Sequence, residues 1–301
     1  KPGINAVFDA NSFTADNQEV RFEGVPIIQC NDMDWRLIPR PVTLSGAKPI
    51  EISGNLWFRD VTWMNFTFTG QTIFSASNKN VVVCTAGQAI PTGVTFDGDN
   101  GHWDLCDDFY VLGDIALNKG HLKTNNHSIT GYRFNSAPVN PLNVRSLDLG
   151  SSLVTIRSMD KDVTKISSRF TNFNGTMRVF GSGTSKLLFT GEITETDNLC
   201  TMDAADSLHF DNVEFMKNGK LIAKHDTFNF ALFRANGTLH VDTTIFDSVE
   251  IYQLGKAYSN KSTYNRFLFS THPSSCGCSD CRNVDYGLLQ GNENVVNDRV
   301  H

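Results

Sequence analysis

Phe210-Asp211-Asn212-Val213-Glu214-Phe215 and Phe246-Asp247-Ser248-Val249-Glu250-Ile251 spell one word twice: a large apolar residue, a polar pair, Val, a polar residue and a second large apolar residue. The two copies start 36 residues apart, which fits two repeats of 18. Phe58-Arg59-Asp60-Val61-Thr62-Trp63 reads as a third copy, 152 residues before Phe210, which fits eight repeats of 19. Looser copies at Val94-Thr95-Phe96-Asp97 and Phe170-Thr171-Asn172-Phe173 lie in the interval. Self-similarity at a fixed period is the signature of stacked repeats, in which no single repeat can bury its apolar side alone. An antiparallel sandwich would supply similar strands but no reason for one word to return at multiples of 18 to 19.

Around these words, short alternating segments such as Trp103 to Leu105, Ile115 to Leu117 and Val154 to Ile156 are separated by Asn, Asp, Gly and Ser. Alternation is the strand period, and those residues punctuate it with turns. Asn is abundant, at 28 residues, and Phe numbers 22. Asn and Gly tolerate the positive φ of tight corners, while strands buried in a parallel stack favour Phe, Val, Ile and Leu. The expected fold is therefore all-β: a right-handed parallel β-helix, or β-solenoid, with rungs of about 18 to 22 residues and capped ends. Residues 1–50 are expected to form the N-terminal cap and first rungs, 51–252 the β-helix body, and 253–301 a Cys-containing C-terminal cap or linker.

Composition narrows the function classes. Apolar residues make up 40% and charged residues 19% of the 301, enough for a sizeable core and unlike a disordered chain. A net charge of −6 with no clustered basic stripe argues against nucleic-acid binding. No apolar run approaches the ~18 residues that a membrane helix needs. The chain opens at Lys1 without a charged-then-apolar leader and reads as a mature or trimmed piece.

A resemblance adds to this reading. Phe8-Asp9-Ala10-Asn11-Ser12-Phe13, Cys30-Asn31-Asp32-Met33-Asp34-Trp35, Val94-Thr95-Phe96-Asp97-Gly98 with Gly101-His102-Trp103-Asp104-Leu105, and the run Asp107 to Asn125 resemble the repeat regions of large cell-surface proteins of Bacteroidetes. The likeness covers about residues 5 to 155 and beyond them extends only as a rung pattern. It implies a β-helical region of an adhesin-like protein, exported by the type IX secretion system and in some members linked to gliding motility. It also implies O-glycosylation at Asp-Ser/Thr-apolar triplets, which Asp206-Ser207-Leu208, Asp242-Thr243-Thr244 and Asp247-Ser248-Val249 match loosely.

The chemistry-bearing residues are few. Asp97, Asp99, Asp104 and Asp107 are candidate metal ligands, with Ca²⁺ the cation such a carboxylate group would take; solvated turns are the competing reading. His102 and His121 lie 19 apart, one rung, and so would stack on one face as half of a zinc site at most. His209, His225 and His240 share no rung spacing. Of seven cysteines, Cys276, Cys278 and Cys281 are bunched, giving a disulfided cap or, with His272, a zinc site; Cys30, Cys84, Cys106 and Cys200 are scattered, and the odd number leaves a thiol over. Trp35, Trp57, Trp63 and Trp103 could form a sugar-stacking face, although the strand phase places Trp63 and Trp103 in the core and Trp57 outward.

No nucleophile elbow, zincin helix, phosphate-cradling loop or dinucleotide fingerprint is present, so no catalytic or cofactor residue is expected. The resulting expectation is an extracellular adhesin or structural spacer whose lateral face meets surface glycans or other cell-surface proteins, handled by secretion machinery if exported as the resemblance implies. The competing readings are a β-helix polysaccharide lyase or hydrolase and a phage tail spike or fibre.

Overall fold

The computed structural model describes residues 3–136, 140, 142–157, 164–167, 177–191, 200–205, 207–252, 255–269, 287–290 and 295–300. Among the described residues there is no helix. Every described strand pairing is parallel, including Ala6–Val7 on Met33–Asp34, Val94–Leu105 on Ile115–Lys123 and Ile245–Ile251 on Thr263–Phe269. Strands far apart in sequence thus stack as successive turns, the β-solenoid expected from the repeat. The chain forms two compact units, residues 1–154 with 170–180, and residues 155–169 with 181–301.

In unit 1 the turns are uneven. One face runs Ile28–Cys30, Ile50–Ile52, Thr72–Phe74, then the first parts of Val94–Leu105 and Ile115–Lys123, then Phe134–Asn135. The register Ile50 to Thr72 to Val94 to Ile115 advances by 22, 22 and 21 residues, and Ile115 to Phe134 by 19. A second face runs Met33–Asp34, Leu56–Trp57, Asn80–Cys84, the latter parts of the two long strands, and Arg145–Gly150. A short third sheet of Gln18–Phe22, Val42–Gly46 and Met64–Phe66 lies apart from both.

The two faces meet at a bulge where the register slips between Phe96 and His102. Glycine is required there by crowding. A Cβ on Gly98 would sit 1.6 Å from the Ala76 carbonyl oxygen, and one on Gly101 2.1 Å from the same atom. Asn78 and Asn100, both at positive φ, turn the outer edge of this corner, and the Asn100 side-chain amide donates to that of Asn78 at 3.2 Å.

Unit 2 is regular. His209–Phe215, Thr227–Phe233, Ile245–Ile251 and Thr263–Phe269 form one sheet, with Lys186–Phe189 on one side and Val295–Val300 on the other. Gly219–Lys224, Gly237–Asp242 and Gly255–Asn260 sit in the second, between Cys200–Ala205 and Gly287–Gln290. From His209 to Thr263 each step is 18 residues. The segment expected as a C-terminal cap or linker thus contributes Gly255–Asn260, Thr263–Phe269, Gly287–Gln290 and Val295–Val300 to these sheets.

The core is a set of aromatic ladders that the period creates. Phe210, Phe228, Phe246 and Tyr264 stack with centroids 5.3, 4.9 and 5.3 Å apart and planes within 17°. Phe189, Phe215 and Phe233 make a second column at 4.6 and 4.7 Å. Each fully buried Phe contributes roughly 1.5–3 kcal/mol by leaving water, and stacked neighbours add about 0.5–1.5 kcal/mol per pair. Gly219 and Gly237 follow Phe215 and Phe233 by four residues, and a Cβ on either would meet the preceding ring at 2.5 and 2.7 Å.

Two sequence expectations need correction. Phe58 to Trp63 is a turn, although its letters match the strand word. The Asp60 carboxylate accepts hydrogen bonds from the Thr62 amide at 3.0 Å and hydroxyl at 2.9 Å, closing an Asx turn that leaves Val61 exposed. Trp63 is accordingly half-buried, whereas Trp103 is in the core as expected. Corners in unit 2 also depart from the Asn and Gly rule: Ser207, His225, Thr243 and Lys261, spaced by 18, all have positive φ. The copy at Phe170 to Phe173 lies outside the described residues.

Candidate functional site

Alternation in the second face of unit 1 sends Val81, Trp103, Leu122 and Leu147 inward as one column. Their neighbours must therefore point out, and they form two mostly polar columns. Asn80, His102, His121 and Ser146 are in register on successive strands, as are Val82, Asp104, Lys123 and Asp148. Side chains along each column are spaced by the distance between strands, about 4.8 Å. A groove of about 310 Å³ runs over this surface, edged by Phe180, which is 50% exposed.

The rung spacing of His102 and His121 does place them together: their rings stack at 4.3 Å with an interplanar angle of 21°. The Nδ1 of His121 and the Ser146 hydroxyl share a hydrogen bond of 2.5 Å. Burial, then the positive charge that His102 would carry, then Arg178, hold the His121 pKa below the usual histidine value. His121 is therefore neutral at neutral pH, a flat ring with one donor and one acceptor nitrogen. Beside it, Lys123 is in register between Asp104 and Asp148, one cationic residue between two acidic ones along the stack.

The first face of the same unit carries a larger groove of about 550 Å³, lined mostly by uncharged residues. Thr69, Gln71, Thr92, Thr95 and Asn135 supply hydroxyls and amides around a floor that includes Gly93, Gly113 and Ala116. Asp114 in its wall is held by Arg133, which donates from Nε at 2.9 Å and from Nη2 at 2.7 Å.

The carboxylates singled out in the sequence are not gathered into one site. Asp97 and Asp99 face Lys119, whose ammonium lies 3.6 and 3.3 Å from them. Asp104 lines the ionic groove. Asp107 closes a corner one rung back, accepting from the Thr85 amide at 3.0 Å, the Thr85 hydroxyl and the Ala86 amide. Asp108 accepts from the Ser128 amide at 2.7 Å. Among the described residues no three His, Cys, Asp or Glu side chains converge as a metal site would need.

The tryptophans do not make a sugar-stacking face. Trp35 and Trp103 are fully buried. Trp57, half-buried as its outward phase implied, is covered by the Arg36 guanidinium at 4.3 Å, and Trp63 by that of Arg59 at 4.0 Å. Cys276, Cys278, Cys281 and His272 lie outside the described residues.

Among the described residues a disulfide joins Cys84 to Cys106, a pairing the sequence reading does not anticipate. Its signal was the separation of 22 residues, the local rung length, which brings the two Cα atoms to 5.2 Å. Cys30 and Cys200 are buried thiols, each pushed up to about 11 by burial, and so are poor nucleophiles.

Comparisons with protein-family models, curated proteins and solved structures find no match to this chain.

Proposed function

We propose that the chain is an extracellular surface module, adhesive and structural, that binds glycans through the ionic lateral face of unit 1. One observation carries the reading: Asn80, His102, His121 and Ser146, beside Asp104, Lys123 and Asp148, form in-register columns along a groove. Core packing fixes only the inward residues of these strands, and outward positions could hold any polar residue. Here they alternate hydroxyl, amide, imidazole and charge at about 4.8 Å intervals, a pattern suited to the hydroxyl groups of an extended sugar chain. Contacts of this kind are individually weak and gain strength through repetition.

An extracellular setting is supported by the Cys84 to Cys106 disulfide, a bond that persists in oxidising compartments. The type IX export route and the gliding-adhesin relation rest on the resemblance of residues 5 to 155 alone. A glycan array probed with the intact chain and with His121→Ala/Lys123→Ala tests the binding role. Glycan signals lost in the double variant support it, and an array without signal refutes it. The placement of Asp104 and Asp148 around Lys123 favours a second reading, a polysaccharide lyase or hydrolase. New reducing ends or unsaturated products from acidic glycans, abolished by Asp104→Ala, would replace the adhesive reading with the enzymatic one.

A further inference from the structure

The second sheet of unit 2 carries an outward surface with a different chemistry. Ile222, His240 and Tyr258 are in register on three successive strands. Lys220, Thr238 and Lys256 form the column on one side, and Lys224, Asp242 and Asn260 the column on the other. His240 and Tyr258 make a ring contact at 4.7 Å with a tilt of 40°, and Tyr258 is 39% exposed although its strand neighbours Ala257 and Ser259 are buried. Burial, then the positive charge of Lys220, holds the His240 pKa below the usual histidine value, so this ring is neutral at neutral pH.

On these three strands three lysines stand against one aspartate, a local positive surface on a chain of net charge −6; Asp203, in register with Ile222 on the next strand, is buried. The aspartate is already engaged, since Asp242 accepts from the Asn260 amide at 3.2 Å and from the Thr243 hydroxyl at 3.1 Å. What remains is an aromatic strip with ammonium groups along both sides. Lys220 and Lys256 are two strands apart, about 9.6 Å along the stack. Sugar rings present flat C–H faces that dock on aromatic rings, and ring-borne carboxylates or sulfates would extend sideways to the lysines. A nucleic acid is a poorer fit, because three lysines without arginine give little phosphate neutralisation and the chain as a whole is acidic.

We propose that this face binds an acidic polysaccharide, one carrying carboxylate or sulfate groups, laid along the stacking direction over His240 and Tyr258 with its anions on Lys220, Lys256 and Lys224. The site is independent of the unit 1 groove and stands whether or not that groove binds glycans.

The test is isothermal titration of the intact chain with oligogalacturonate, dextran sulfate, neutral dextran and a dT oligonucleotide. Binding is expected for one or both anionic glycans, the two arms separating carboxylate from sulfate, and none for neutral dextran. Two exposed ion contacts are lost together in Lys220→Ala/Lys256→Ala, which should weaken binding about tenfold. Tyr258→Ala should cost about tenfold through lost stacking, and affinity should fall between about 50 and about 500 mM salt. Lys48→Ala, at an exposed lysine outside both faces, should leave this binding intact. Far-UV circular dichroism of each variant checks the fold, and Lys220→Arg/Lys256→Arg, which keeps the charge, should retain affinity. The proposal is overturned by equal binding of neutral dextran, by tighter binding of the oligonucleotide, by Lys220→Ala/Lys256→Ala or Tyr258→Ala staying within about twofold of the parent, or by no binding to either anionic glycan.

Discussion

Replacing Phe228 by alanine removes the middle of the longest aromatic ladder. Phe228 is fully buried, with the rings of Phe210 at 5.3 Å and Phe246 at 4.9 Å on either side. The gap left behind cannot close, because the backbones above and below are held at the strand spacing by their own hydrogen bonds. Burial loss and an uncollapsed cavity together cost about 3–5 kcal/mol for a buried Phe→Ala. Two broken stacks place this case at the upper end, near 5 kcal/mol.

Phe230 is the internal control. It lies two residues along the same strand, is half-buried, and is in register with Asn212 and Ser248 in place of other rings. Phe230→Ala should cost no more than about 1 kcal/mol. Urea unfolding followed by far-UV circular dichroism measures both. Tryptophan fluorescence is the wrong probe, since all four tryptophans fall between residues 35 and 103. Equal losses for the two variants, or a loss below about 1.5 kcal/mol for Phe228→Ala, would refute the stacked-ladder account of the core.

Gly98→Ala should destabilise unit 1 by more than about 3 kcal/mol, because the new Cβ meets backbone at Ala76 and not a movable side chain. Gly24→Ala, with open space but positive φ, should cost only about 1–2 kcal/mol, and urea midpoints compare the pair. Because the His121 pKa is lowered in the fold, the unfolded chain binds its proton first as pH falls; stability is full above about 6.5 and declines as pH drops below it. Unfolding curves at pH 7.5 and pH 5.5 should show a smaller difference for His121→Gln than for the parent. Reducing the Cys84 to Cys106 bond, which spans 22 residues, should lower stability by about 3 kcal/mol. Dithiothreitol should shift the urea midpoint of the parent and leave Cys84→Ser/Cys106→Ser unmoved.

The solenoid was legible where its period is strict. Phe210 and Phe246 repeat at two rungs of 18, and Phe228 between them completes the ladder. Unit 1 was harder to read, because its turns vary from 19 to 22 residues along one face and reach 27 between Ala6 and Met33. A search at 18 or 19 therefore passes over Cys84 and Cys106 at 22 while catching His102 and His121 at 19. Spacing also misled at Phe58, where an aspartate two residues before a threonine makes a turn whatever its flanking rings suggest. The His240 and Tyr258 pair was present at the 18-residue step but hidden, because the two residues differ in type and only a face, not a letter, repeats. Carboxylate density near Asp97 to Asp108 was visible, whereas its dispersal to Lys119, the ionic groove and two corners depends on which strand edge each residue reaches.

Selective histidine labelling and nuclear Overhauser spectroscopy give the sharpest check on whether turns lie in register and so build the lateral face. Ring protons of His102 and His121, with centroids 4.3 Å apart, should show a cross-peak that disappears in His102→Gln. A folded chain with both rings assigned and no cross-peak between them would contradict the stacking and the site raised on it.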